Sequence, residues 1–399
     1  MIRKTSKLIP IILSISCFFS LMSFSACKPR TVDITDYPIP IGEVVEDEEA
    51  PEEEVDTAEF NRLLFVEEPD PIKEDGRFVY SPTFIPAQAL EKFKDHPNAV
   101  RAAKLMMEAS AKVEEEVEIP EDLRDLPVEE LEIAYGIAYT YSPIAASTDF
   151  EVSEDGKTAK LSYFKTMKYD GFDDDGNPNW QDDEEEKASK EEARKEFETF
   201  VDYVTDTIND CVTKDSTEEE RARSIYEKLV KDFPIAVSGA DTFFPQGSDS
   251  ISMYDSFLKD VNDKEVSEYE LTRLYSFFLT QLRIENYRAF AGGLMVKECQ
   301  EMLPEGMMYS GWNYIIIALD GKYYNCDLIF ESVRFRYEHP DEETEPEIRY
   351  FAISDDKFRE TIRAEQSGKA IFSDYFGYEE SQQVPKCPEN LVKDPIPSE

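Results

Sequence analysis

Apolar residues recur at helical spacing in several stretches of the chain. Val100, Leu105 and Met106 follow Pro97 and predict a helix there, and Pro127 opens a second with Val128, Leu131, Tyr135 and Ala138 on one face. A long helix is predicted from about Glu184 to Val212, with Phe197, Phe200, Val201, Val204 and Ile208 as its stripe. The next opens on Ser216 and Glu219, a capping-box spacing, and buries Ala222, Ile225, Tyr226, Leu229 and Val230. Leu271, Leu274, Tyr275, Phe278 and Leu282 form a further stripe. Two hairpins stand between and after these helices. Phe150–Val152 and Thr158–Phe164 flank an Asp155-Gly156 turn, and Tyr314–Leu319 and Lys322–Asn325 flank Asp320-Gly321. Helices mixed with small antiparallel hairpins predict an α+β fold.

The N-terminus reads differently. Arg3, Lys4 and Lys7 precede an apolar run from Leu8 to Phe24, which reaches Phe24-Ser25-Ala26-Cys27. A basic start, a short apolar core and small residues before a cysteine have the layout of a secretory signal. It resembles a bacterial lipoprotein signal, which implies cleavage after residue 26 and a lipid on Cys27. The implied location is extracytoplasmic, anchored to the bacterial membrane. An ordinary signal peptide or a signal anchor is the alternative. Residues 28–75 hold 17 acidic against 4 basic side chains and are broken by Pro29, Pro38, Pro40, Pro51, Pro69 and Pro71. Such a segment buries too little to offset chain entropy and reads as a linker, with Leu64-Phe65-Val66 a place where it docks on the body.

Charge narrows the partners. The full chain carries -44, and losing residues 1–26 with their three basic side chains brings it to about -47. That surface repels nucleic acid and anionic head groups, so no nucleic-acid partner is expected. Asp173-Asp174-Asp175-Gly176-Asn177 invites a calcium-loop reading. With Gly176 at position 6, however, position 1 falls on Gly171, which is no ligand, and the stretch reads as a solvated turn. No metal site and no cofactor follow from any spacing. Beyond Cys17 and Cys27 there are Cys211, Cys299, Cys326 and Cys387. Four cysteines allow three pairings; Cys299 with Cys326 is the first to test, against buried free thiols.

Three segments carry a more specific likeness: Ser224–Lys231, Ser252–Leu258, and the stretch from Lys264 onward with Val266-Ser267-Glu268, Arg283-Ile284-Glu285, Ser310-Gly311-Trp312-Asn313 and Cys326-Asp327. Together they resemble the transglutaminase-like superfamily over roughly residues 216–360. The resemblance implies a papain-like core, with a cysteine opening a buried helix and a histidine and an aspartate on adjacent antiparallel strands. Tyr254 and Leu258 occupy the approach to that helix. Ser267 then stands where the cysteine would be, Ser310 where the histidine would be, and Asp327 in the aspartate position. Arg349–Asp355 resembles a strand-to-helix element that follows such cores. The implied organisation is 1–26 signal peptide, 27–75 acidic Pro-rich linker, 76–212 helical and hairpin region, 213–380 transglutaminase-like domain, and 381–399 tail.

In such a core the thiolate attacks a carbonyl, the imidazole carries the proton and the carboxylate fixes the imidazole. A serine hydroxyl without a strong base stays protonated, and losing both members removes most of the nucleophilic catalysis. The expectation is therefore a non-catalytic core that binds a peptide, a cell-wall component or a protein, with Trp312 as a groove residue. The alternatives are an acyl-transfer hydrolase using Ser267 or an unaligned cysteine, and a purely structural envelope protein. The chain has two histidines, His96 and His339. His96 reads as a turn residue and His339 as part of a charged surface loop, while Lys264 and Lys297 are candidate bases with no supporting spacing.

Overall fold

A computed structural model of the chain describes residues 70–153, 155–164, 166–172, 178–181, 187–233, 251–255, 257–263, 266, 268–292, 294–295, 311–339, 345–358, 362–363, 370–372 and 385–391. The signal segment, Cys27, Leu64-Phe65-Val66 and the Asp173–Asn177 turn lie outside these residues. Helices combine with small antiparallel sheets, an α+β arrangement. Residues Glu67–Lys168 and Gln181–Glu399 belong to one compact unit, and Tyr169–Trp180 to a separate one.

The main unit opens earlier than the composition suggests. Ile72 and Phe78 pair across a turn at Gly76 and are both buried, so the body begins before residue 75. Helix α1, Pro97–Ala111, then packs on α2, Val128–Tyr141. The expected stripe of α2 is buried only in part: Leu131 and Tyr135 are half-buried and Ala138 is buried, but Val128 is not. Val128 is 49% exposed, while Ala134, Ile137 and Ala138 are buried. Ala99, Ala102 and Ala103 of α1 are also buried, and small residues on both helices permit close approach.

Strands β1, Thr148–Val152, and β2, Thr158–Phe164, form the first hairpin, with Val152 opposite Ala159. Gly156 takes φ +67 at its turn, and Asp155 Oδ1 accepts the Lys157 N–H. Lys187–Ala188 joins this sheet rather than the next helix, which therefore starts later than the expected Glu184. That helix, α3, spans Lys190–Cys211 and is opened by a capping box of Ser189 and Glu192. Its neighbour α4, Glu218–Asp232, is capped by Thr217 with Glu220, one residue beyond the expected pair. Ser216 is occupied elsewhere, its Oγ accepting the Thr213 N–H. The five apolar residues expected to be buried in α4 all have 0% exposure.

Helix α5, Glu268–Gln281, packs against α4, the principal sheet and α6, Leu328–Glu338. The sheet contains β3, Asn286–Gly292; β4, Gly311–Leu319; β5, Lys322–Cys326; and β6, Ala370–Phe372, in the order β5-β4-β3-β6. Leu271, Leu274, Tyr275, Phe278 and Leu282 are all buried. The exit of α5 is a Schellman turn: the Arg283 N–H donates to Thr280 O and the Ile284 N–H to Leu279 O. Arg283 sits at φ +65, where glycine is the usual residue. Its guanidinium lies 3.4 Å from the Phe84 ring centre and donates to Ser81 Oγ, which ties residues 81–84 to the helix end.

One apolar cluster runs from Ile72 and Phe78 through α3 and α4 to α5, α6 and the sheet. It crosses residue 212, so the two flanking regions share a core. Tyr80 packs beside Phe197 and Phe277, at ring separations of 6.2 and 6.1 Å, and its hydroxyl is buried with no hydrogen-bond partner among the described residues. An unsatisfied buried hydroxyl costs stability. Tyr80→Phe is therefore expected to stabilise the protein by up to about 1 kcal/mol in denaturant titrations. A loss of that size would show that the hydroxyl is bonded.

Candidate functional site

The candidate frame is built on α5 and the β4–β5 hairpin. Leu319 pairs with Lys322, and Asp320 and Gly321 take φ +51 and +75, the two left-handed positions of a tight hairpin turn. This turn sets the register down to Ile315 opposite Cys326 and so fixes where Asp327 emerges. On its other side β4 pairs with β3, Trp312 facing Ala291. For Trp312 only the backbone is described, and positions 267 and 310, with Lys264, Lys297 and Cys299, lie outside the described residues.

Asp327 is the one position of the expected triad that can be examined in detail. It is buried at 0% exposure and caps α6, its Oδ1 accepting the Phe330 N–H at 3.0 Å. Its main-chain N–H donates to Tyr350 O at 2.9 Å, and its carbonyl accepts the Tyr226 hydroxyl at 2.8 Å. The Tyr226 ring packs edge-on against Tyr275 and Phe351 at 5.5 and 5.4 Å. One carboxylate oxygen, Oδ1, caps the start of a helix, and the backbone and surrounding rings hold the residue there.

Cys326 pairs with Ile315, and Gly311 opens β4 four residues before Ile315.

No described cysteine is activated. Cys326 has 0% exposure, its sulfur accepts the Ala352 N–H at 3.4 Å, and burial pushes its thiol up to about 12. At neutral pH it is a thiol, not a nucleophilic thiolate. Burial also raises Cys211 and Cys387. All three are free thiols, so of the two readings left open for Cys326 the buried free thiol holds rather than a pairing with Cys299.

The histidines have structural places. His96 precedes α1, and its Nδ1 lies 2.8 Å from Glu130 Oε1. The other oxygen of Glu130 accepts the Ala99 N–H at 2.9 Å, so a side chain from α2 caps α1. His339 follows the last residue of α6 as its C-cap, its N–H donating to Phe335 O, and its ring is 5.5 Å from Phe335.

A buried ion-pair network escaped the sequence reading. Glu331, on α6, has 0% exposure and its Oε2 accepts the N–H groups of Arg349 and Tyr350 at 2.8 and 2.6 Å. Its Oε1 pairs with Arg334 at 2.5 Å, and Arg334 also pairs with Glu338 and donates to Glu347 O. Burial raises the Glu331 pKa, while Arg334 and the two N–H groups oppose the rise. The only sequence signal is the spacing Glu331, Arg334, Glu338 on one helix face. Arg349–Ser354 is not a regular strand: besides the bridge of Asn325 with Ile353 it is held by the Asp327 N–H at Tyr350 O, by Cys326 Sγ at the Ala352 N–H and by the carboxylate of Glu331, before the short helix Asp355–Phe358.

A cleft of about 260 Å³ is lined by Tyr80, Pro82, Ala111, Val113, Phe197 and Val201, among others, and by no residue of the frame. Among the described residues no His, Cys, Asp or Glu grouping could hold a metal ion, and no helix is long and apolar enough to cross a membrane. No family model matches the chain, and no curated protein sequence matches it.

Proposed function

We propose that the chain is a membrane-tethered extracytoplasmic lipoprotein, anchored through Cys27, whose transglutaminase-like core binds a peptide, cell-wall component or protein without turning it over. Supporting the core is the order of its elements: an apolar helix packed on antiparallel strands, a tight hairpin, then Asp327. The observation that carries the non-catalytic reading is the employment of Asp327 as a buried helix cap, its Oδ1 held by the Phe330 N–H instead of being left for an imidazole. The aromatic packing around Tyr226 favours, as a second reading, a purely structural role for this end of the core.

The test is an amidase, protease and crosslinking assay on the full chain without added thiol. No turnover above background is expected, with Ser267→Ala indistinguishable from the native protein. Turnover abolished by Ser267→Ala would sink the proposal. Cys27→Ser, tested by detergent-phase partitioning, is expected to move the protein into the aqueous phase.

A further inference from the structure

Helix α2 runs into a proline. The carbonyl of Tyr139 would accept the N–H four residues on, but that residue is Pro143, which has none. Arg273, on α5, supplies the missing donor, its Nη2 donating to Tyr139 O at 2.7 Å. The guanidinium lies 4.6 Å from the Tyr139 ring centre and 4.5 Å from that of Phe257, in the helix Phe257–Asp263. Phe257 in turn packs on Phe200 of α3 at 5.9 Å, so this wall is anchored in the core. Arg273 itself is buried, at 6% exposure.

A buried guanidinium needs an opposite charge to offset its desolvation. Arg334, at 2% exposure, has Glu331 and Glu338. Arg273 has none. Among the described residues no carboxylate bonds to it or pairs with it, in a chain of 87 acidic against 43 basic side chains. The Tyr139 carbonyl takes one of five N–H donors, and ring faces attract a cation without neutralising it. No nitrogen of Arg273 is both shut from solvent and unbonded, so the unused N–H edge opens to the surface. A rigid fork of donors that carries an uncompensated positive charge matches a carboxylate, whose two oxygens take parallel N–H bonds. The strongly negative chain repels a dianionic phosphate more than a monoanion, which favours the carboxylate of the two oxyanions.

We propose that Arg273 anchors a carboxylate-binding subsite where α2, α5 and the helix Phe257–Asp263 meet, for an acidic side chain or the free C-terminus of a peptide. The subsite uses none of positions 267, 310 and 327, so it stands or falls apart from the reading of the catalytic frame. Closing the end of α2 alone requires one donor and no charge.

The experiment titrates the full-length protein at physiological ionic strength with N-acetylglycine, Nα-acetyl-glutamate methylamide, uncharged N-acetylglycinamide and inorganic phosphate, following arginine Nε–H resonances. At least one carboxylate is expected to bind about tenfold or more tightly than the amide and to shift the Arg273 Nε–H. The tighter of the two carboxylates tells a chain terminus from an acidic side chain. Arg273→Gln should abolish the preference, while Lys195→Gln removes the same charge from an exposed position on α3 and should preserve it. Arg273→Lys keeps the charge without the fork and should weaken the carboxylate alone. The Nε–H readout on the native protein guards against misfolding of the variants. Equal binding of carboxylate and amide, an Arg273 Nε–H unmoved by either carboxylate, or phosphate bound as tightly as they are would overturn the proposal and leave Arg273 as a clasp on the end of α2.

Discussion

Asp327→Ala is expected to destabilise the protein by about 2–3 kcal/mol, whereas Asp327→Asn should cost under about 1 kcal/mol. The alanine variant deprives the Phe330 N–H of its acceptor in a site with no solvent access. Loss of an N-cap alone costs about 1 kcal/mol, and a buried N–H left without a partner adds to it. Asparagine offers the same carbonyl-type oxygen to the same N–H and preserves the cap. The pair of variants separates the two roles that an aspartate can have at the end of a strand. For an acid that orients a base, asparagine would damage activity while alanine and asparagine changed stability little. For a cap, the two differ in stability. Urea unfolding of both variants decides it, and equal midpoints for alanine and native protein would remove the cap as the reason for this residue.

Position 327 was legible in the chain, but its employment was not. Both readings want a carboxylate just after a strand, and the bond from the Phe330 N–H to Oδ1, which favours the cap, depends on where α6 starts. The hairpins were readable because Asp-Gly at two left-handed positions is a local requirement, met at Asp320 and Gly321 without reference to the rest of the fold. The stripes of α4 and α5 were readable because large apolar residues mark the buried face. In α2 the same reasoning was right for Ala138 and wrong for Val128. Val128 is large but exposed, and alanines that weigh little in an apolar pattern make the contact with α1. Thr217 and Ser216 have equivalent capping partners three residues on, so the choice depends on what else binds Ser216. At Arg283 the left-handed turn has no glycine to announce it; contacts with Ser81 and Phe84, some two hundred residues away in sequence, hold the side chain.

Glu331 should be the most sensitive of the polar residues. Its carboxylate is the buried counter-charge of Arg334 and at the same time the acceptor for two consecutive N–H groups, of Arg349 and Tyr350. Glu331→Leu leaves the Arg334 cation with exposure of 2% facing an apolar side chain, and strands both N–H groups. Breaking one partner of a buried pair costs about 3–5 kcal/mol, because the remaining charge keeps its desolvation penalty without its attraction. Glu338 and the Glu347 carbonyl also contact Arg334, which places the expected loss near the lower end of that range. Adding Arg334→Met should recover part of the loss, since apolar residues of similar volume can replace a buried pair at little net cost. Recovery should stay incomplete. The two N–H groups at 349 and 350 remain without their acceptor whichever residue occupies 334, and the segment they fix carries Phe351 onto the Tyr226 ring beside Asp327. A double-mutant cycle by urea unfolding measures both parts. A Glu331→Leu loss below about 1 kcal/mol would show that the network is not the fastening of α6 to this segment.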